Sequence, residues 1–207
     1  MHGLLGFLLL LGASPAPPPA WHQDLASVHR AVSAIQTIQA SFVQTRTLKI
    51  LRKPLVSRGV IAFRRPNDLR WEYQSPLPVL LVVRGGDAQR LLKHGTQWVS
   101  DASAKLEAMK MVLGEISLWL NGNFAASRTF RPELRPATRA EPARIDLLPL
   151  DPTLGKIIAR IGLSLGERPG TISAIDIFEK DEGITHITFE DPRYDDAIPD
   201  ERFATPP

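Results

Sequence analysis

An alternation of side chains between Ser41 and Tyr73 constrains the fold of this chain most strongly. Neighbouring side chains of a β-strand point to opposite faces, so residues two apart share a face. Three strands are predicted here, and Pro66-Asn67-Asp68 forms the turn between the last two. The apolar residues that share a face are Phe42, Leu48 and Ile50 in the first strand, Ile61 and Phe63 in the second, and Leu69, Trp71 and Tyr73 in the third. Together they predict an apolar concave surface, which is typical of a carrier or binding module.

Two arginines end the second of these strands. Alternation places Arg64 and Arg65 on opposite faces, so that Arg65 shares the face of Ile61 and Phe63. The five fixed donors of a guanidinium could hold the carbonyl groups of a lid or a polar lipid head. The pattern leaves a surface arginine at a turn equally open.

Short strands also make up most of the remaining chain. Residues 79–83 form a fully apolar run between Pro78 and Gly85-Gly86, which predicts a strand buried on both faces. A hairpin follows, from residues 88–93 to 96–99, with its turn at His94-Gly95. Five later strands are predicted at residues 127–130, 143–148, 157–165, 172–179 and 184–190.

Helical periodicity occurs in two places. Apolar residues recur every three or four positions from His22 to Ala40, with Asp24 placed to cap the first turn. A second apolar stripe runs from Ala102 to Leu120 and stops at Asn121-Gly122. Such a stripe usually packs into a core, and the functional alternative is a helix that covers the mouth of a cavity.

The order of elements predicts the fold class, mainly β with two or three helices. One helix, about six strands, a second helix and about five strands favour an antiparallel sheet curled around itself. The helices then pack into or across its concave side. An apolar pocket results if they do not fill it.

The amino terminus is typical of an exported protein. An apolar run of leucines is followed by small residues, and it is too short to span a bilayer. We therefore interpret residues 1–20 as a signal peptide and 21–207 as one domain; a buried amino-terminal strand or a tethered anchor is the alternative. The absence of cysteine excludes disulfides, thiolate catalysis and lipidation at an amino-terminal cysteine.

Motifs for catalysis or cofactors do not occur in the sequence. There is no G-x-S-x-G, G-x-G-x-x-G or P-loop, and the histidines lack metal-binding spacing. The acidic run from Glu190 to Glu201 lacks the calcium-loop pattern and is interpreted as a solvated loop. We expect neither enzymatic activity nor a cofactor or metal.

The net charge and its distribution limit the classes of binding partner that we expect. The chain carries +3, with a pI near 9.4 and many of its basic residues between Arg46 and Lys93. Without an arginine-rich helix or an RNA-binding signature, nucleic acid is not expected. A basic face could instead meet an anionic membrane surface or an acidic partner.

Three segments carry a more specific signal. They are ASFVQ at residues 40–44, the strand from Gly59 that leads into RRPNDLRWEY at 64–73 with Pro76 after it, and RFATPP at 202–207. In this order they resemble the LolA-type periplasmic carriers of outer-membrane lipoproteins, and the order of elements agrees over nearly all of the mature chain.

The resemblance implies an unclosed antiparallel β-barrel whose apolar concave surface takes up acyl chains, with helices as a lid. It implies that Arg65 hydrogen-bonds the lid and couples its opening and closing to loading and release. A monomeric periplasmic carrier without a cofactor would receive lipoprotein or another lipid from an inner-membrane exporter and deliver it to an outer-membrane acceptor. The residues expected to line the cavity are Phe42, Ile61, Phe63, Leu69, Trp71, Tyr73, Leu80, Val82, Met109 and Leu113.

One departure from the family leaves the cargo open. Gly85-Gly86-Asp87 leads to Leu91-Leu92 here, where many members carry Asp-Gly followed by Trp and Tyr. The second hypothesis is a lipid-sensing regulatory module of the same fold that binds cargo without transferring it. An enzyme acting on a lipid or glycan is the third.

Overall fold

A computed structural model describes residue 21 and residues 23–101 and 114–206. In this part of the chain eleven antiparallel strands form one sheet, in the order β6-β5-β4-β3-β2-β1-β11-β10-β9-β8-β7. The strands are β1 Thr37–Thr47, β2 Leu55–Arg64, β3 Asp68–Ser75, β4 Val79–Arg84, β5 Asp87–His94, β6 Gln97–Ser100, β7 Phe130–Arg135, β8 Arg144–Pro149, β9 Ile158–Leu165, β10 Ile172–Glu179 and β11 Ile184–Tyr194. Because β6 and β7 are edges, the sheet stays open, and the predicted fold class is confirmed.

Helix α1 spans Leu25–Ala34, and Asp24 caps it as predicted. The Asp24 carboxylate accepts a hydrogen bond of 2.6 Å from the backbone N–H of Ser27. The prediction that this helix runs to Ala40 is wrong. Strand β1 begins at Thr37 and pairs with β2, because a ladder along β2 and β11 satisfies more backbone groups than another helical turn would.

The predicted common face of β2 and β3 is confirmed by the register of their pairing. Ile61 lies opposite Trp71, and Phe63 lies opposite Leu69. These residues belong to one buried core cluster, together with Phe42 of β1. Leu48 and Ile50 do not continue this face, because β1 ends at Thr47 and Ile50 is 88% exposed.

Strand β4 is buried on both faces as predicted, but the face assigned to Leu80 and Val82 is wrong. Leu81 lies opposite the core residue Trp71, whereas Leu80 lies opposite Glu72. Leu80 and Val82 instead form a separate cluster with Leu91 on the outer face of the sheet. An entirely apolar strand carries no alternation, so only its pairing with β3 decides which side chains point inward.

The second half of the chain follows the predicted order with two differences. Residues 114–120 are helical and are called α2 below; Met109 and Leu113 lie outside the described residues. The strand expected at residues 127–130 is Phe130–Arg135 instead. The Ser127 hydroxyl accepts hydrogen bonds from the N–H groups of Thr129 and Phe130, which makes a turn there.

The carboxy-terminal segment packs on the outer face of the sheet. Phe203 and Ile198 cluster with Ala62 of β2. Arg64 lies over the Phe203 ring, 4.9 Å from its centroid, and donates to Asp200 at 2.7 Å. This hydrogen bond lowers the pKa of Asp200. The side chain of Arg64 therefore lies on the outer face of the sheet, as its position in the strand predicts.

Gly59 of β2 should tolerate no side chain. A Cβ there would meet the carbonyl oxygen of Glu72 and lie 2.5 Å from the Phe42 ring. We expect Gly59→Ala to lower the free energy of unfolding by about 1–3 kcal/mol, because strand or ring must shift. Urea unfolding followed by tryptophan fluorescence measures the change.

Gly155→Ala is the matched control. Its Cβ would have no neighbour closer than Pro149 at 3.9 Å. Equal unfolding midpoints for Gly59→Ala and the unsubstituted protein would show that the ring of Phe42 does not occupy this space.

Candidate functional site

An apolar cavity lies between the inner face of the sheet and the two helices. Ala40, Ile61 and Trp71 line it from β1, β2 and β3. The helices and the far side of the sheet complete the wall with Val32, Ile116, Trp119, Leu120, Ile175 and Phe189. Both the first and the last strands of the chain therefore line the cavity, and they meet where β1 pairs with β11.

The cavity is small in this conformation. It offers about 50 Å³ to the centre of a water-sized sphere. One water needs roughly 10–15 Å³ by this measure, so the space holds a few waters and no long acyl chain. A long acyl chain would fit here only if the helices moved away from the sheet.

Aromatic rings form the floor of the cavity. The ring centroid of Trp71 lies 5.0 Å from that of Phe42 and 6.3 Å from that of Phe189. Tyr73 stands edge-on to Phe42 and donates its hydroxyl to Gln44 Oε1 at 2.9 Å. Burial raises the pKa of Tyr73, so the phenol stays neutral at ordinary pH.

The predicted lining residues take different positions. Ile61 and Trp71 face the cavity directly. Phe42, Phe63, Leu69 and Tyr73 lie in the surrounding core or pack against it. Leu80 and Val82 belong to the outer face, and Met109 and Leu113 lie outside the described residues.

Arg65 sits where the two helices meet the sheet. Its Nε donates to the carbonyl oxygen of Ile35 at 2.6 Å, and Nη2 donates to that of Val32 at 2.9 Å. On α2, Nη2 reaches the carbonyl oxygen of Leu120 at 3.3 Å, and Nη1 donates to Asn121 Oδ1 at 2.6 Å. One guanidinium thus satisfies carbonyl groups at the carboxyl ends of both helices.

The electrostatics of this contact are favourable. The last carbonyl groups of a helix have no partner within the helix and carry partial negative charge, which a cation stabilises. Burial lowers the pKa of Arg65, but an arginine remains charged at any physiological pH. Its hydrogen bonds to the helices are therefore charge-assisted, and each contributes about 1.5–3 kcal/mol.

Asn121 is a second residue of this junction, and the sequence alone marks it only as a helix stop. Its Nδ2 donates to the carbonyl oxygens of Ser117 and Pro66, both at 2.7 Å. It thereby joins α2 to the turn that follows Arg65. No motif announces this role, because the carbonyl oxygen of Pro66, which joins Asn121 to the sheet, lies 55 residues away in the chain.

The helices also contact each other. Nδ1 of His29 lies 2.8 Å from the carbonyl oxygen of Gly122, and the Ser33 hydroxyl donates to the carbonyl oxygen of Asn121 at 3.2 Å. Because α1 and α2 share these bonds as well as Arg65, we call them together the lid. The described parts of the two helices are thus hydrogen-bonded to each other as well as to Arg65.

Trp119, Ile175 and Phe189 are cavity residues that sequence reasoning missed. Phe189 lies opposite Phe42, so its face follows from the pairing of β1 with β11. Alternation along β11 was available as a signal. Alternation shows which residues of β11 share a face, but only the pairing with β1 shows which of the two faces points inward.

Residues 33–206 match the family model described as outer membrane lipoprotein carrier protein LolA. The chain belongs to this family. An outer-membrane lipoprotein carrier protein of Dechloromonas aromatica is 30% identical over 182 residues, which cover 87% of this chain and 82% of the relative. A protein of the same description from Nitrosomonas europaea is 32% identical over 82 residues, 38% of each chain.

Among solved structures, a DUF1329 family protein from Desulfovibrio piger is similar in fold. The TM-score is 0.50 at 12% identity, and the match covers 89% of this chain and 96% of that one. At this identity the likeness concerns the fold alone. It agrees with the open antiparallel sheet of the family.

The described residues contain no candidate membrane-spanning helix and no candidate metal cluster. Among the helices of residues 23–101 and 114–206, none is long and apolar enough to cross a membrane. Over the same residues no group of three or more histidine, aspartate or glutamate side chains is placed to hold a metal ion. Three acidic residues at the carboxyl end, Asp195, Asp196 and Asp200, instead meet arginines, as Asp195 meets Arg168 at 3.0 Å.

Filling the cavity should reduce its affinity for apolar ligands. Ala40 lines the cavity and is 8% exposed, so Ala40→Leu places added atoms in the free space. We expect a hydrophobic fluorescent probe to bind at least about fivefold more weakly, since the extra volume opposes entry. Fluorescence titration measures this.

Ala174→Leu is the control, because Ala174 lies on β10 next to the inward-facing Ile175 and so on the outer face. It should leave probe affinity unchanged. Equal losses in both variants would place the probe outside the cavity.

Proposed function

We propose that this protein is a periplasmic carrier that binds the acyl chains of lipoproteins in its apolar cavity and carries them from the inner to the outer membrane. Membership of the lipoprotein carrier family supports this at the coarser level. The observation that carries the proposal is the Arg65 contact with both helices over an apolar cavity. Residues 1–20 are proposed to direct export and residues 21–207 to carry the lipid.

The balance of energies supports a lid that cargo can open. Burying a CH₂ group contributes about 0.8 kcal/mol, so a chain of about 16 carbons contributes on the order of 10 kcal/mol. The four hydrogen bonds of Arg65 to the lid contribute about 1.5–3 kcal/mol each at most, and water replaces part of that when they break. Acyl burial is thus of the same size as the polar contacts that hold the lid, so cargo and lid can compete for the apolar surface.

Release needs the opposite step. The closed lid places Val32, Trp119 and other apolar side chains on the surface that an acyl chain would cover. Lid and cargo compete for this surface, so reforming the Arg65 contacts favours departure of the cargo. Such a carrier passes its cargo from an inner-membrane exporter to an outer-membrane acceptor without covalent chemistry.

Arg65→Leu tests this competition. Without the guanidinium the closed state loses several kcal/mol, so the open, loaded state should be favoured. We expect the variant to fold and to take up an acylated lipoprotein, but to deliver it to outer-membrane acceptor protein at least about tenfold more slowly. Transfer is measured with purified acceptor and labelled lipoprotein.

Arg64→Leu removes the same charge from the outer face, where Arg64 meets Asp68 and Asp200. It should deliver cargo at the rate of the unsubstituted protein. Unchanged delivery by Arg65→Leu would remove this residue from the mechanism. Stable uptake without delivery by the unsubstituted protein would favour a lipid-sensing regulator of the same fold.

A further inference from the structure

One end of the sheet, remote from Arg65, collects exposed apolar side chains. It comprises the β1–β2 loop at residues 48–54, the β3–β4 loop at 76–78, the β10–β11 turn at 180–183 and Ile157, which precedes β9 beside that turn. We call these segments, with the residues that flank them, the loop end. Arg65 lies at the opposite end, since β2 begins at Leu55 and ends at Arg64.

Nine large apolar side chains are exposed in the described part of the chain, and seven of them lie at the loop end. Ile50 is 88% and Leu77 is 76% exposed. The seven are Ile50, Leu51, Leu55, Val56, Leu77, Ile157 and Ile184. Scattered apolar side chains need no explanation, but such a concentration is typical of a contact surface.

Strand pairing places these residues side by side. Leu55 of β2 lies opposite Arg46, and Ile184 of β11 lies opposite Thr47 on the other side of β1. Ile157 accepts a backbone hydrogen bond of 2.8 Å from Lys180, which brings it to the same turn. The side chains therefore form one continuous rim over neighbouring strands.

The tip of the β1–β2 loop is built by a turn. The N–H of Leu51 donates to the carbonyl oxygen of Leu48 at 3.0 Å, and this bond directs Lys49 and Ile50 outward. Ile50 thus projects from a hydrogen-bonded loop. Its exposure is a feature of the fold.

The β1–β2 segment that carries this apolar tip is basic, while the neighbouring β10–β11 turn contains Asp181 and Glu182. Residues 46–58 contain five lysines and arginines and no acidic residue. Two of the five are paired, Arg46 with Glu179 at 3.0 Å and Lys49 with Glu182 at 3.1 Å. Arg52, Lys53 and Arg58 make no ion pair within the described residues.

We propose that the loop end docks on an anionic phospholipid bilayer, with Ile50 and its apolar neighbours in the headgroup region and Arg52 and Lys53 on the lipid phosphates. Apolar side chains beside lysine and arginine are the combination that binds anionic interfaces. An acidic protein partner would use the charges but would leave the exposed apolar tip unexplained. The proposal is independent of which cargo the cavity takes.

Docking in this orientation would serve the proposed carrier function. Only this point, and not the docking itself, rests on that proposed function. With the loop end on the bilayer, Arg65 and the ends of the lid point away from it. The lid is then free to move while the sheet is held at the membrane surface.

Flotation with phospholipid vesicles tests the proposal on the whole mature chain. We expect binding to vesicles that contain phosphatidylglycerol and much weaker binding to pure phosphatidylcholine. Rising salt should reduce the binding, because the screening length falls from about 10 Å at 0.1 M to about 3 Å at 1 M. Failure to bind anionic vesicles at low salt would overturn the proposal.

Two variants and one control locate the surface. Ile50→Asp should weaken vesicle binding at least about tenfold, and Arg52→Glu about fivefold or more. Arg139→Glu is the control, because Arg139 is exposed and unpaired in the β7–β8 connection at the other end of the sheet. A loss with Arg139→Glu as large as with Arg52→Glu would also overturn the proposal.

Thermal unfolding and hydrophobic-probe binding separate docking from cargo uptake. Ile50→Asp should leave both unchanged, since Ile50 touches neither the core nor the cavity. Vesicle binding without probe binding would contradict the carrier function and leave docking intact. Specific binding to a soluble acidic protein, with none to vesicles, would replace the bilayer by a protein partner.

Discussion

The contact between one guanidinium and the ends of two helices is the interaction on which the closed form of this protein depends. Arg65 directly follows β2 and donates hydrogen bonds to the carbonyl oxygens of Val32, Ile35 and Leu120. A helix end that is buried needs such a partner, since its carbonyl groups have none within the helix. The lid is therefore held by a polar contact, while the surface under it is apolar. Under the proposed carrier function, this separation would let an apolar ligand displace the lid without dismantling the core.

The sheet supplies the rigid counterpart to the lid. Strands β1 and β11 join the two halves of the chain, and Phe42 lies opposite Phe189 across that pair. The aromatic floor is thus assembled from residues far apart in sequence. The outer face of the sheet is covered by two separate groups, the carboxy-terminal segment and the Leu80 cluster. Neither of these outer clusters contains a residue of α1 or α2, and the basic, apolar loop end lies apart from the lid.

Alternation predicted the inner face wherever apolar and polar residues alternate, as at Ile61, Phe63, Leu69 and Trp71. It failed at β4, where both faces are buried and no polar residue marks the outside. Helical periodicity extended α1 too far, because Ile35 and Ile38 suit a helix locally while Ile38 pairs with Phe63 in the sheet. In each case a contact distant in sequence outweighed the local pattern.

The sequence by itself determined the mainly β fold with its helices, the family, and the assignment of Arg64 and Arg65 to opposite faces. These follow from periodicity and short motifs, which are local properties of the chain. Only the tertiary structure decided that Arg65 holds both helices, that Asn121 joins it, and that the space between helices and sheet is small. The physical reason is that backbone carbonyl partners and residual volume leave no mark on residue type. They exist only once distant segments are packed together.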